Sequence, residues 1–210
     1  MRAKLIKLDK RRENKIAKLK LYALIDKATL IKKGKSIEWI AKRVKDLNAS
    51  LIQYRNKSGG FSEKKEDILA IKSLCGNIPL IVNDDIKLIE YCEGIHLGQD
   101  DMLNFANDIH DAADIVRRAL GDKLFGLSTH NADEIKTANF LSVDYVGLGA
   151  YRKTDTKDTD NILGNSLDII AGFSKKPVAA VGGVKLNDEF KNVTYLAVGS
   201  GLYENNGIFH

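Results

Sequence analysis

Short apolar runs alternate with longer segments of helical periodicity along most of the chain. Leu21-Tyr22-Ala23-Leu24-Ile25 reads as a buried strand ending at Asp26. Ser36 then caps a predicted helix, Ile37 to Leu47, in which Ile37, Ile40, Ala41, Val44 and Leu47 recur at i, i+3, i+4, i+7 spacing. Leu51-Ile52-Gln53-Tyr54 is the second strand, ending at Arg55 and Lys57. The Ser58-Gly59-Gly60 turn leads to Ser62 as the expected cap of a helix running through Ile68, Leu69, Ile71, Lys72 and Cys75. Pro79 to Val82 is a third strand that runs into Asn83-Asp84. A short helix from Asp85 to Cys92 precedes a fourth strand, Gly94 to Leu97, which ends in Gly98-Gln99-Asp100-Asp101.

The alternation continues. An amphipathic helix with Ile109, Ala112, Ala113, Val116 and Leu120 stops at Gly121. Leu124 to Leu127 is the fifth strand, ending at Ser128-Thr129-His130, and a helix from Ala132 to Phe140 follows. Tyr145 to Leu148 is the sixth strand, Leu167 to Ile170 belongs to a sixth helix, and Pro177 to Val181 is the seventh strand, ending in Gly182-Gly183. Tyr195 to Val198 is the eighth, ending in Gly199-Ser200-Gly201. Apolar strands separated by helices imply an α/β fold with a closed parallel sheet, a (β/α)8 TIM barrel.

The pattern also predicts a gap in the outer ring. Between Gly183 and Tyr195 there is room for barely two helical turns, and no eighth helix follows Leu202. The seventh and eighth helices are therefore expected to be reduced, with Phe173, Phe190, Phe209 or an added N-terminal helical segment covering the opening. Residues 1–20 carry Arg11-Arg12-Glu13-Asn14-Lys15 with few apolar positions and read as a basic helical extension, with 21–210 as one barrel domain.

Composition changes this picture little. The formal net charge of +5 is mild and interspersed, which favours anionic small ligands and argues against nucleic acid as a partner. No apolar stretch approaches the roughly 18 residues of a membrane span, and the N-terminus lacks the apolar region of a secretory signal. Cys75 and Cys92 sit in apolar runs as buried reduced thiols, so the cytoplasm is the expected compartment. A thin helical ring leaves room for a homodimer.

In a parallel barrel the carboxyl ends of the strands converge on one site. Gln53, Arg55 and Lys57 come from the second strand, Asn83 and Asp84 from the third, and Gln99 and Asp101 from the fourth. Ser128 comes from the fifth. Thr154, Asp155, Thr156 and Lys157 lie in the loop after the sixth. Gly182 and Gly183 follow the seventh, and Gly199 and Ser200 the eighth. Asp84 and Asp101 on neighbouring strands suit one hard cation that keeps waters and ligand phosphate oxygens, as Mg2+ prefers. Glycine turns after the last two strands are a habitual monophosphate site. The residues thus predict two anionic groups, a diphosphate with Mg2+ near strands two to four and a monophosphate near strands seven and eight. His96, inside a strand, reads as a packing histidine, and His130 receives no role. Tyr22, Tyr54, Phe125 and Tyr145 read as barrel packing, with Tyr54 close to the pocket.

Gln53-Tyr54-Arg55-Asn56-Lys57, Asn83-Asp84, Gly94-Ile95-His96-Leu97-Gly98-Gln99-Asp100-Asp101, Gly126-Leu127-Ser128, Thr154-Asp155-Thr156-Lys157 and Val181-Gly182-Gly183-Val184 resemble the ordered motifs of the thiamine phosphate synthases, from about Leu21 to Leu202. The resemblance implies joining of a pyrimidinylmethyl diphosphate to a thiazole phosphate with release of pyrophosphate. It implies Mg2+ on Asp84 and Asp101. It places the diphosphate on Arg55, Lys57, Asn83, Ser128 and Lys157, and the pyrimidine on Gln53, with Tyr54 and Asn56 nearby. The thiazole phosphate falls to Thr154, Asp155, Thr156, Gly182, Gly183, Gly199 and Ser200. The chain departs from the family at Gly149-Ala150-Tyr151-Arg152-Lys153, where Gly-Pro-x-Phe-Pro is usual: two prolines are gone and two cations added. Two other readings stand beside the transferase, a thiazole tautomerase on the same barrel and a barrel that binds phosphate esters without turnover.

Overall fold

A computed structural model describes residues 19–153 and 161–204 of the chain. Eight parallel strands close into a barrel in sequence order. They are β1 (Lys20–Asp26), β2 (Leu51–Arg55), β3 (Leu80–Asn83), β4 (Gly94–Leu97), β5 (Leu124–Thr129), β6 (Tyr145–Leu148), β7 (Val178–Ala180) and β8 (Tyr195–Val198). The helices outside the barrel are α1 (Lys27–Lys32), α2 (Ile37–Asp46), α3 (Phe61–Cys75), α4 (Gln99–Met102), α5 (Ile109–Leu120), α6 (Ala132–Ala138) and α7 (Ser166–Ala171). A 3-10 helix at Ile86–Tyr91 joins β3 to β4. The expected TIM barrel is therefore present. The helical extension predicted for residues 1–20 lies outside the described residues, except that Lys20 already pairs with Tyr195 as the start of β1.

Two apolar layers explain why each strand reads as it does. Residues at alternate positions point outward and pack under the helices: Leu21, Ala23 and Ile25 of β1, Ile52 and Tyr54 of β2, Ile95 and Leu97 of β4. The other set fills the lower half of the barrel with Tyr22, Leu51, Ile81, Tyr145, Ala179, Tyr195 and Ala197. Along this inner set the chemistry changes from apolar at the amino ends to polar at the carboxyl ends. Leu51 is followed by Gln53 and Arg55, Ile81 by Asn83, and Leu124 by Gly126 and Ser128. The bottom is thus a dry plug, and the top a polar cup.

Local signals start and stop the helices largely as the sequence implies. The Ser36 hydroxyl accepts the Trp39 N–H at 3.2 Å, and Gly121 ends α5 at a φ of 57°. At α3 the expected Ser62 cap is displaced. Gly60 takes the cap position, because the Asn56 side-chain oxygen accepts the Ser58 and Gly59 N–H groups and bends the chain earlier.

The ring is incomplete after β7, as predicted, but the connection is not helical at all: residues 181–194 carry no helix. Asp168 of α7 ties this connection down by accepting the Lys191 and Asn192 N–H groups. Of the aromatics proposed to cover the gap, Phe190 does so; it is buried and meets Tyr151 edge-on at 5.0 Å. Phe173 is half exposed, and Phe209 lies outside the described residues. Beyond β8 a 3-10 helix at Ser200–Tyr203 closes the circuit. Tyr203 stacks on Trp39 at 5.7 Å, and Arg43 donates to the Leu202 and Glu204 carbonyls at 3.3 and 3.0 Å. Among the described residues no helix is long and apolar enough to cross a membrane.

Candidate active site

The polar cup is a cavity of about 250 Å3 at the carboxyl ends of the strands. Gln53, Arg55, Lys57, Asn83, Asp84, Asp101, Ser128, Gly182, Gly183, Gly199 and Ser200 all line it. These residues are spread over nearly 150 positions of sequence, and the barrel register alone brings them together. Thr154, Asp155, Thr156 and Lys157 lie outside the described residues.

Three expected site residues are not brought to the cavity. Tyr54 lies between Gln53 and Arg55, so the alternation of β2 turns it outward, where its hydroxyl donates to Asp67 at 2.5 Å. Asn56 donates to the Tyr54 hydroxyl at 3.2 Å and holds the turn before α3. Both are framework residues. Gln99 also turns away, donating to the Ser128 carbonyl at 2.7 Å.

Arg55 is held in place before any ligand arrives. Its guanidinium meets the Asp26 carboxylate at 2.5 Å. The other Asp26 oxygen accepts the Thr29 N–H and hydroxyl, each at 2.8 Å, and so caps α1. Asp26 is nearly buried. This partner is absent from the sequence reading, although its inward register on β1, two positions above Leu24, was a visible signal.

Asp84 and Asp101 form the acidic side of the cup. Asp84 adopts a positive φ of 62°, a conformation that few residues other than glycine take up and one that concentrates at functional sites. Burial, and then the neighbouring Asp101 carboxylate, raise its pKa to about 6, against the pull of Lys57 and Arg55. Asp101 combines two duties, because its carboxylate also accepts the Gly98 N–H at 2.9 Å at the start of α4. Among the described residues no group of three or more His, Cys, Asp or Glu side chains surrounds a common point. Two carboxylates that repel each other across a small space fit a cation that takes its remaining ligands from water and substrate.

The departure in the loop after β6 has a structural counterpart. The Tyr151 and Arg152 N–H groups donate to the Val181 and Gly182 carbonyls at 2.8 and 2.9 Å, joining this loop to the glycine turn after β7. Gly182 and Gly183 have φ of 86° and 63°. A Cβ on Gly182 would lie 2.6 Å from Ala150 Cβ, so close approach of the two loops requires glycine there. Arg152 is spent on this junction and does not line the cavity.

Three further residues in the cavity wall are Tyr22, His96 and His130. His130 is paired with Glu134 at 3.0 Å. His96 and the barrel tyrosines, read from sequence as packing, are hydrogen-bonded to one another and to Gln53 and Ser128.

Residues 21–194 match the family described as thiamine monophosphate synthase. The thiamine-phosphate synthase of Persephonella marina is 36% identical over 172 residues, covering 79% of this chain and 77% of that protein. That of Lawsonia intracellularis is 32% identical over 172 residues, covering 79% and 74%. Among solved structures, thiamine phosphate pyrophosphorylase from Pyrococcus furiosus superposes with a TM-score of 0.69 at 24% identity, covering 88% of this chain and 87% of that one. The (S)-3-O-geranylgeranylglyceryl phosphate synthase of Thermoplasma acidophilum shares the fold at a TM-score of 0.60 and 14% identity, covering 100% and 94%. The matched region contains the whole barrel up to the last strand and most of the cavity residues, and the chain belongs to the thiamine monophosphate synthase family.

Proposed function

We propose that this chain joins 4-amino-2-methyl-5-pyrimidinylmethyl diphosphate to thiazole phosphate, forming thiamine phosphate and releasing pyrophosphate. The observation that carries the reading is the convergence of Arg55, Lys57, Asn83 and Ser128 with the Asp84–Asp101 pair at one end of one cavity, and of Gly182, Gly183, Gly199 and Ser200 at the other. That division suits a diphosphate beside a monophosphate.

In this reading Gln53 reads the pyrimidine. Arg55, Lys57, Asn83 and Ser128, with Lys157 from the loop after β6, hold the diphosphate. Thr154, Asp155 and Thr156 join the two glycine turns around the thiazole phosphate. Asp84 and Asp101 hold Mg2+, which when bound neutralises charge on the departing diphosphate. The residues of the cup do the rest by placement. As the bond from the methylene carbon to the diphosphate oxygen lengthens, negative charge grows on the leaving group. Arg55 and Lys57 lie where that charge develops, and Asp26 keeps Arg55 from needing to reorganise. The bond to the diphosphate breaks ahead of attack, and the thiazole nitrogen then adds to the benzylic-type cation held close by, so holding both substrates in one cavity supplies much of the rate. No side chain has to act as a nucleophile.

The test is direct formation of thiamine phosphate, detected by mass spectrometry, from the two substrates in Mg2+. Product that appears only with both substrates and active protein supports the reading. A folded protein that yields none, or that only isomerises a thiazole carboxylate phosphate, overturns it in favour of the tautomerase or the non-catalytic barrel.

A further inference from the structure

Inside the barrel, the buried side chains of Tyr22, Tyr145 and His96 link Gln53 to Ser128 through one continuous chain of hydrogen bonds. The Gln53 amide donates to the Tyr22 hydroxyl at 2.9 Å. The Tyr22 and Tyr145 hydroxyls are 2.7 Å apart, and the Tyr145 hydroxyl lies 3.1 Å from His96 Nδ1. His96 Nε2 in turn lies 3.0 Å from Ser128 Oγ. The path runs from β2 through β1, β6 and β4 to β5, with partners up to 123 positions apart in sequence.

Space has been left for it. A Cβ on Gly126 would lie 2.2 Å from Tyr145 Cζ and 2.5 Å from His96 Nδ1, and one on Gly147 would lie 3.1 Å from His96 Cε1. Two inward positions of β5 and β6 are thus kept without side chains where the imidazole and phenol cross the barrel. Burial raises the pKa of both Tyr22 and Tyr145, so each keeps its proton.

A neutral imidazole has one donor and one acceptor nitrogen, so the chain can run in two directions. In one, Gln53 donates to Tyr22, Tyr22 to Tyr145, Tyr145 to His96 Nδ1, and His96 Nε2–H to Ser128 Oγ. Every hydroxyl and imidazole proton then has an acceptor inside the chain except that of Ser128, which faces the cavity. In the other, Ser128 donates to His96 Nε2, His96 Nδ1–H to Tyr145, and Tyr145 to Tyr22. Tyr22 then receives two donors, and Ser128 turns only lone pairs toward a cup lined by Arg55 and Lys57 and suited to anions. The first direction pairs each donor with an acceptor and aims a donor at an anionic ligand; the second does neither.

We propose that His96 and Tyr145 are positioning residues of the transfer reaction: Tyr145 fixes His96 as its Nε2–H tautomer, and His96 pins Ser128 Oγ as an acceptor so that the serine proton is offered to the departing diphosphate. This inference rests on the transferase reading above. No bond to His96 or Tyr145 forms or breaks; their effect is on the direction of one hydroxyl.

The experiment is a double-mutant cycle in the full chain, read by steady-state kinetics with both substrates and Mg2+, together with imidazole 15N NMR of the wild-type protein. Tyr145→Phe and His96→Leu should each lower kcat by about 10-fold or more while KM for the diphosphate changes little, the pattern of an interaction felt mainly in the transition state. His96→Gln, which can return an N–H toward Ser128, should recover most of the loss. In a Ser128→Ala background the same His96 and Tyr145 changes should cost less than about twofold, because residues acting through one another are not additive. The His96 signal, assigned by its loss in His96→Gln, should show a protonated Nε2 and a bare Nδ1. Additive losses in the Ser128→Ala background, or a proton on Nδ1 in place of Nε2, would overturn the proposal. If His96→Leu does not fold, Tyr145→Phe, which removes a single oxygen, completes the cycle. A wild-type protein without turnover defeats the transferase reading and this inference with it, whereas turnover with additive losses defeats this inference alone.

Discussion

Arg152, in the loop after β6, grips Asp188 of the β7–β8 connection with both terminal nitrogens, at 2.7 and 2.8 Å. The same guanidinium donates to the Gly183 carbonyl at 3.0 Å and lies over the Tyr151 ring at 4.1 Å. Asp188 also accepts the Lys185 N–H at 2.8 Å, so one carboxylate braces both loops that flank the glycine turn. This two-pronged clamp stands where relatives of the family are expected to use prolines. Here the stiffness of the junction comes from a bidentate ion pair.

Asp188→Asn should therefore loosen the phosphate end of the cavity more than it unfolds the protein. The Arg152 side chain is 41% exposed, so the pair is screened and contributes little to global stability. The expected result is a KM for thiazole phosphate raised by roughly 3- to 10-fold, with kcat within about twofold, as for lost uniform binding. Steady-state kinetics with the diphosphate saturating measures it.

A methyl group added at Gly126 should disable the site from within. Its Cβ would fall 2.2 Å from Tyr145 Cζ, a distance no side-chain adjustment inside a full barrel accommodates without moving the ring. Gly126→Ala is expected to cost about 1–3 kcal/mol of stability through overpacking and to displace His96 and Tyr145 together. Gly147→Ala, whose nearest contact is 3.1 Å, should be milder. Urea denaturation compares the two.

The acidic pair makes a pH-dependent prediction. Asp84 titrates near 6 in the folded chain, above its ordinary 3.8, because burial and then Asp101 disfavour its charge. A raised folded-state value means that folding takes up a proton between these limits. The stability this contributes is present below the unfolded value and is lost as pH rises through about 6. Near pH 7.5 the pair is therefore a source of repulsion, which a divalent cation bound between the two carboxylates would relieve. Millimolar Mg2+ should raise the melting temperature clearly at about pH 7.5 and much less at about pH 5. Asp84→Asn should raise the metal-free melting temperature at the higher pH and abolish the response to Mg2+.

Asp26 separates stability from catalysis in a similar way. Asn is as good an N-cap as Asp, so Asp26→Asn should leave α1 and the melting temperature nearly unchanged. It removes the charge that anchors Arg55. A loss of roughly 10-fold in kcat/KM is expected, since Arg55 must then be ordered by the substrate itself. Comparison of Asp26→Asn with Arg55→Ala by kinetics and thermal melts checks this.

The barrel was legible because every strand is a short apolar run that ends in polar residues, and the helices between them carry plain periodicity. Most of the cavity followed from the same rule, since Arg55, Asn83, Asp84 and Ser128 stand at strand ends. Tyr54 shows how the rule can be overridden: the motif around it resembled a binding segment, yet period-two alternation already placed it opposite Gln53 and Arg55, against Asp67. Asn56 was misread for the same reason, and its work is to bend the chain into α3. What could not be read was pairing at a distance. Nothing near Tyr22 in sequence announces Tyr145, and nothing near Asp188 announces Arg152; closure of the barrel creates both contacts. Their side-chain types were visible, but not their partners.

Pyrophosphate release from pyrimidinylmethyl diphosphate and thiazole phosphate, followed with and without Mg2+ in the wild type, Asp84→Ala and Arg55→Ala, tests the assignment most directly. Release that requires both substrates and Mg2+, and that falls by about 100-fold or more in each variant, is the expected result for groups that stabilise a departing diphosphate. Folded wild-type protein that releases no pyrophosphate, or variants that release it at the wild-type rate, would contradict it.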